Sequence, residues 1–259
     1  MIHIKNLSVS IEGKKILNDI SFDFKPSKTY ALMGPNGSGK STLASAIMGH
    51  PELTYSRASK ITIGKKPARN IPAVKAGVGG PAHRGGKNIK NLSADKRAKL
   101  GIFLSFQTPL ALPGVTVFSL LRLALEKQID PVALHKKVKE YAKELHIKDE
   151  LLKRSLNDGF SGGEKKKLEA LQAVLLAPRF TLLDEIDTGV DVDALKTISH
   201  FLKKHLPKET TLVLITHSTR LLRYIQPQEV LVIKNGRLVK TGKRALAKKI
   251  EEKGFENIK

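Results

Sequence analysis

The run Gly34-Pro35-Asn36-Gly37-Ser38-Gly39-Lys40-Ser41 constrains the fold of this 259-residue chain more than any other feature. It follows a short apolar segment, residues 29–33, and precedes a helix-like segment over residues 41–48. Glycines at these positions let the backbone curl so that successive N–H groups face one anion. A helix starting just behind adds the positive end of its dipole. In such a loop Lys40 meets the outer phosphates of a nucleotide and the Ser41 hydroxyl ligates magnesium, with Thr42 beside it in the first helical turn. Strand, loop and helix in this order call for an α/β architecture.

The rest of the chain fits that requirement. Beyond Phe160 the pattern alternates helix (164–176), strand (180–183), helix (194–205) and strand (211–216), which predicts a parallel sheet with covering helices. At the N-terminus, apolar residues recur at Ile2, Ile4, Leu7, Val9 and Ile11. After Glu12-Gly13 they resume at Ile16, Ile20, Phe22 and Phe24, which predicts an antiparallel sheet with one wet face. From Val117 onward the pattern turns helical. Leu134, Val138, Tyr141 and Leu145 fall on one face of an amphipathic helix. Asn235-Gly236 between two apolar runs predicts a hairpin. The basic stretch at about 64–87, rich in Gly, Pro and Lys, reads as a mobile insertion loop.

Three further groups carry chemistry. The strand at 180–183 runs into Asp184-Glu185, and if strand geometry persists the two carboxylates point to opposite sides. In a nucleotide site Asp184 would serve the magnesium shell and Glu185 would polarise the attacking water as general base. Taken alone, an acidic pair at a strand end reads as a helix cap or a solvated turn. Ser161-Gly162-Gly163-Glu164 opens a helix and offers free N–H groups to an anion, although a plain Ser N-cap gives the same pattern. Thr216-His217 ends another apolar strand.

Phosphate loop, SGG helix start, acidic strand end and strand-end histidine, in that order, resemble the ATP-binding cassette (ABC) ATPases. The resemblance implies a P-loop NTPase fold with a RecA-like core, an N-terminal antiparallel β-subdomain and an inserted helical subdomain. Core and β-subdomain would occupy about 1–106 and 164–259 of a single domain, and the helical subdomain about 107–163. It also implies ATP and Mg2+ as ligands and hydrolysis to ADP and phosphate. His217 is similar to the family's switch histidine. Gln107 is similar to the glutamine between core and helical lobe that senses magnesium and water. Asp191 falls in the family's aspartate loop at a subunit contact. In the family two cassettes face head to tail, so that residues 161–164 of one complete the phosphate site of the other in a transient homodimer.

Within that family, SLNDGFSGGEKKK at 155–167, DEIDTGVDVDAL at 184–195 and LLRYIQP at 221–227 are similar to SufC, the ATPase branch of Suf-type iron–sulfur cluster assembly. This implies SufB-like and SufD-like scaffold proteins as partners. Lys167, Ile186, Thr188 and Val190 depart from the branch's usual residues, and no aromatic stands near Ile11 to stack on adenine. Cysteine is absent, so any cluster would be held by partners, and a reducing cytoplasmic setting is expected. No run approaches the roughly 20 apolar residues of a membrane span, so no membrane insertion is expected. The net charge of +22 attracts acidic partners without choosing among them. A transporter-energising subunit, the family's commonest use, and a nucleic-acid-linked ATPase, favoured by that charge and the basic loop, are the competing readings. The apolar stretch 108–118, with Leu110, Leu112, Pro113, Val115 and Val117, is expected to supply part of a docking patch.

Overall fold

The computed structural model describes residues 1–64, 86–256 and 258. The chain opens with β1 (Ile2–Ile11), β2 (Lys14–Phe24) and β3 (Thr29–Met33), then α1 (Lys40–Met48). Next come β4 (Thr54–Tyr55), β5 (Lys60–Ile63), β6 (Lys87–Asn88), α2 (Ala94–Lys99) and β7 (Ile102–Ser105). The middle of the chain holds β8 (Leu112–Thr116), α3 (Val117–Leu125), α4 (Pro131–Glu144), α5 (Asp149–Lys153) and β9 (Ser155–Leu156). It closes with α6 (Gly162–Leu176), β10 (Phe180–Asp184), α7 (Val192–His205), β11 (Thr211–Ile215), α8 (Arg220–Tyr224), β12 (Glu229–Lys234), β13 (Arg237–Gly242) and α9 (Arg244–Lys253).

The central sheet has the order β13-β12-β3-β11-β10-β7, parallel except for β13. Its inner strands β12, β3, β11 and β10 are buried on both faces, as packing between two layers requires. Alternate residues of one strand serve different cores. Tyr30 and Leu32 of β3 pack with the β1/β2 layer and α1, whereas Ala31 and Met33 pack with the helices on the other side. The same division separates Leu182 from Leu183, Val213 from Leu214, and Leu231 from Val232.

The N-terminal sheet is antiparallel, ordered β2-β1-β5-β6 with β4 also on β1. Here the sequence pattern needs correction. Leu17 is fully buried and Ile16 only half-buried, because Asp19 takes a left-handed conformation (φ 55°) and the pairing register slips between Leu7/Ile20 and Val9/Leu17. An inserted residue reverses which side chains face inward. Asn6 (φ 50°) does the same in β1, which is why the buried set steps from Ile4 to Leu7. Of the basic stretch expected as a mobile loop, residues 65–85 lie outside the described residues. Its described ends meet, since Ile63 pairs with Lys87.

Helix α4 follows its sequence pattern closely. Asp130 caps α4 by accepting from Val132 and Ala133 N–H groups, with Pro131 in the first turn. Leu134, Val138 and Leu145 are buried, and Tyr141 packs edge-on to Phe201. No described helix is long and apolar enough to cross a membrane.

Candidate active site

Parallel pairing brings the carboxyl ends of β3, β7, β10 and β11 to one edge of the central sheet, where α/β proteins bind ligands. Most residues singled out from the sequence sit there. The loop after β3 turns through Gly37 (φ 74°) and Gly39 (φ 104°) into α1. At Gly34 a Cβ would lie 2.2 Å from the Ile233 carbonyl oxygen, so the loop's first residue must be glycine for β12 to pack behind it. The β12–β13 hairpin also grips the loop from outside. Its turn residues Asn235 and Gly236 both have positive φ, as a type I′ turn requires. Gly236 N–H donates to the Ser38 carbonyl, and Asn18 N–H donates to the Gly236 carbonyl.

Lys40 is buried, and its Nζ donates to the Gly34 and Pro35 carbonyls at 3.0 and 2.9 Å. Burial lowers its pKa from the ordinary lysine range, while the nearby Glu185 and Asp184 carboxylates oppose that shift. Pro35 and the exposed Asn36 and Gly37 line the loop's outer face, and Ser41 and Thr42 are half-buried in the first turn of α1.

Asp184 ends β10 and is buried. Desolvation raises its pKa, and a hydrogen bond from the Ser41 hydroxyl lowers it. Its Oδ1 has no hydrogen-bond partner, and neither does the Ser38 hydroxyl. A buried unpartnered carboxylate oxygen beside a serine hydroxyl and below a phosphate-type loop fits Mg2+ completed by phosphate oxygens and water.

Strand geometry does not persist to Glu185, so the expectation that the two carboxylates point to opposite sides for that reason is corrected. Glu185 takes a left-handed backbone (φ 48°), held by its N–H donating to the Ile215 carbonyl and by Thr188 N–H donating to its own carbonyl. Such a conformation costs on the order of 1–3 kcal/mol in a non-glycine residue. It places the carboxylate among three groups: Gln107 Nε2 donates to Oε2 at 2.8 Å, His217 Nδ1 lies 3.2 Å from Oε1, and Thr188 Oγ1 donates to Oε2 at 3.3 Å. Gln107, Glu185 and His217, far apart in sequence, thus form one hydrogen-bonded group, with Gln107 and His217 on the solvent side.

Sequence reasoning missed four side chains here. In the sequence Thr188 stands out only as a departure from the pattern of the branch. Asp187 is buried and accepts from the Thr216 hydroxyl, tying the loop after β10 to the end of β11. Burial raises its pKa, the more so beside Glu185. Lys166 and Glu169 of α6 reach the Gln107 segment from below. Nothing in composition or spacing distinguishes them from the surface charges of an amphipathic helix.

Residues 161–164 are not joined to this group. Ser161 caps α6 by accepting from Glu164 N–H while Glu164 accepts from Ser161 N–H, a reciprocal capping box. Among the described residues no hydrogen bond links residues 161–164 to residues 34–42. Gly162 packs near Gly189 of the loop after β10, and a Cβ at Gly163 would meet no atom within 4 Å. Asp191 caps α7 by accepting from Ala194 N–H at 2.7 Å. In the stretch 108–118 Val117 is fully buried in the core between the central sheet and the helices, which removes it from the exposed apolar group. Leu110 and Leu112 are 73% and 39% exposed, and Phe106, 54% exposed, stands beside them in sequence.

Residues 17–188 match the ABC transporter family. The chain belongs to the ABC transporter ATPases. A probable ABC transporter ATP-binding protein of Streptococcus pyogenes is 40% identical to this ABC ATPase, covering 100% of this chain and 94% of that protein. The probable ATP-dependent transporter ycf16 of Trieres chinensis is 38% identical, covering 100% and 98%. Vegetative protein 296 of Bacillus subtilis is 40% identical, covering 99% and 92%. Among solved structures, the ATP-binding subunit of an ABC transporter superposes with TM-score 0.73 at 22% identity, covering 99% of this chain and 95% of that one. An ATP-binding cassette solved as a dimer in a post-hydrolysis state, bound to ADP and Pi, has TM-score 0.72 at 21% identity, covering 94% and 98%. The ABC ATPase hydrolyses ATP with Mg2+, and its fold is that of the cassette.

Proposed function

We propose that this ABC ATPase is the ATP-hydrolysing subunit of a Suf-type iron–sulfur cluster assembly complex. In this reading it closes as a homodimer on ATP and remodels a SufB-like and SufD-like scaffold. The observation that carries the site assignment is the Glu185 carboxylate, held by Gln107, His217 and Thr188 next to the Lys40–Ser41–Asp184 group. Residues 34–42 hold the phosphates through backbone N–H groups and Lys40. Ser41, Asp184 and Gln107 would hold magnesium, which would supply positive charge against the transferring phosphoryl group. Glu185 takes the proton of the attacking water, and His217 and Gln107 fix the carboxylate and the terminal phosphate relative to each other.

The homodimer reading rests on Ser161, Gly162 and Gly163. They lead α6 with an exposed N-terminus, and the open space over Gly163 supports close approach by another molecule. Gly189 lies beside that helix start, and in this reading Asp191 of the same loop belongs to the same contact. If the working form is a dimer of otherwise monomeric chains, turnover of the isolated protein rises more than linearly with concentration. In the dilute limit each doubling of enzyme raises the rate about fourfold. Strict proportionality with full activity at nanomolar enzyme would place all catalytic groups in one chain.

The scaffold reading is supported by the segments 155–167, 184–195 and 221–227, and by the apolar group Phe106, Leu110 and Leu112. That group is anchored by Asn157, whose Nδ2 donates to the Leu110 carbonyl, and by pairing of Leu112 with Leu156. Replacing Leu110 and Leu112 with Asp is expected to abolish co-purification of a SufB-like or SufD-like partner while leaving melting and ATP affinity unchanged. Two charges would be desolvated at the interface, but both positions are exposed in the free chain. Undiminished capture of the scaffold by this variant would reject the patch. The names of the Streptococcus and Trieres relatives favour a second reading, an energising subunit docked on a transporter. Selective recovery of an integral membrane protein by the parent chain would decide for it.

A further inference from the structure

Lys166 and Glu169 lie one turn apart on α6 and are almost wholly buried, at 3% and 5% exposure. They form an ion pair at 3.0 Å, but their remaining bonds all go to one neighbouring segment. Lys166 Nζ donates to the Phe106 carbonyl at 2.8 Å and to the Gln107 carbonyl at 3.3 Å, and Glu169 Oε1 accepts from Phe106 N–H at 2.9 Å. Two side chains of α6 thus grip the backbone of 106–107 from the buried side. A buried ion pair gains little stability over an apolar pair of similar volume. What it supplies here is direction: two carbonyls and one N–H are fixed at the point where the chain leaves β7.

We propose that the Lys166–Glu169 pair is a positioning clamp for Gln107, setting the backbone from which Gln107 Nε2 reaches the Glu185 carboxylate. This rests on the reading of Gln107 and Glu185 given above. Without the clamp, residues 106–107 are free to shift. A displacement of about 1 Å in a hydrogen-bonded catalytic group is enough to cost up to 10²-fold in rate. The clamp belongs to the same helix whose first turn carries Ser161, and it holds the residue whose ring, Phe106, is exposed on the apolar patch. Burial raises the pKa of Glu169, and the Lys166 ammonium beside it opposes the shift, in keeping with a carboxylate that depends on its partner.

Removing one charge alone would strand the other, so the informative variant is Lys166→Met combined with Glu169→Gln. It takes away the ammonium while leaving an oxygen near Phe106 N–H. Its kcat is expected to fall about 10- to 100-fold with ATP affinity within about threefold of the parent. In a Gln107→Ala background the same pair of changes is expected to cost no more than about twofold further, because residues acting through one group are not additive. Glu169→Asp, which keeps the charge pair but withdraws the oxygen from Phe106 N–H, serves as the second variant should the first fail to fold, with the same non-additivity expected. If Gln107→Ala alone slows turnover but the clamp variants are silent, or their losses multiply with it, the clamp is overturned and the site reading stands. If Gln107→Ala leaves turnover unchanged, the role given to Gln107 falls and the clamp with it.

Discussion

Glu185→Gln is expected to lower ATP turnover by about 10²- to 10⁴-fold, the range that a positioned general base contributes. ATP affinity should stay within a few-fold of the parent. The substitution keeps the volume of a side chain that is 7% exposed, and it keeps one oxygen able to accept from Gln107. The strained backbone at this position (φ 48°) is fixed by main-chain bonds to Ile215 and Thr188, so the side-chain change does not release it. What is lost is the capacity to take a proton. Nucleotide should therefore bind and persist, and an ATP-bound dimer should accumulate where the parent would hydrolyse and separate. Steady-state phosphate release reads the first effect, and size-exclusion chromatography with Mg-ATP reads the second. Turnover within about threefold of the parent would move the base elsewhere, His217 being the next group in the same network.

The order of motifs made the core of the site legible because each motif sits at the end of a parallel strand. Apolar run, loop and helix could be placed from Thr29 to Met48 with hardly a residue in error, since strand β3 is buried on both faces and glycines mark its end. The same logic located Asp184, His217 and the Asn235-Gly236 turn. Residues whose importance depends on tertiary placement were not legible. Leu17 took the core position that alternation assigns to Ile16, because a single left-handed residue, Asp19, shifts the register and no residue pattern announces it. Lys166 and Glu169 look like any lysine and glutamate on a helix rich in lysine until β7 is seen to end over them. The conformation of Glu185 was missed for a related reason. Leu183 and Asp184 extend a regular strand, and the turn to positive φ is imposed by main-chain bonds to β11 and to Thr188.

Lys40→Ala is expected to weaken Mg-ATP binding by about 10- to 100-fold or more, because a charge-assisted hydrogen bond is worth about 1.5–3 kcal/mol and each 1.4 kcal/mol is tenfold. In the free protein the ammonium is folded against the Gly34 and Pro35 carbonyls at the mouth of the loop, with Asp184 and Glu185 as its nearest acids. Burial depresses its pKa in that state, which marks it as a cation short of counter-charge. Phosphate oxygens supply that charge, so the interaction grows on binding and its loss falls on the complex rather than on the apo fold. Two measurements separate these. The melting temperature without nucleotide should change little, since truncation relieves a desolvated cation while giving up two hydrogen bonds to carbonyls. The additional stabilisation conferred by saturating Mg-ATP in the parent, which follows RT ln(1 + [L]/Kd), should shrink or vanish at the same nucleotide concentration. Lys40→Arg should not restore it, because the broad planar guanidinium replaces a compact ammonium that is buried against the Gly34 and Pro35 carbonyls. Parent-like ATP stabilisation in Lys40→Ala would mean that the backbone N–H groups of residues 34–41 and the dipole of α1 hold the nucleotide unaided.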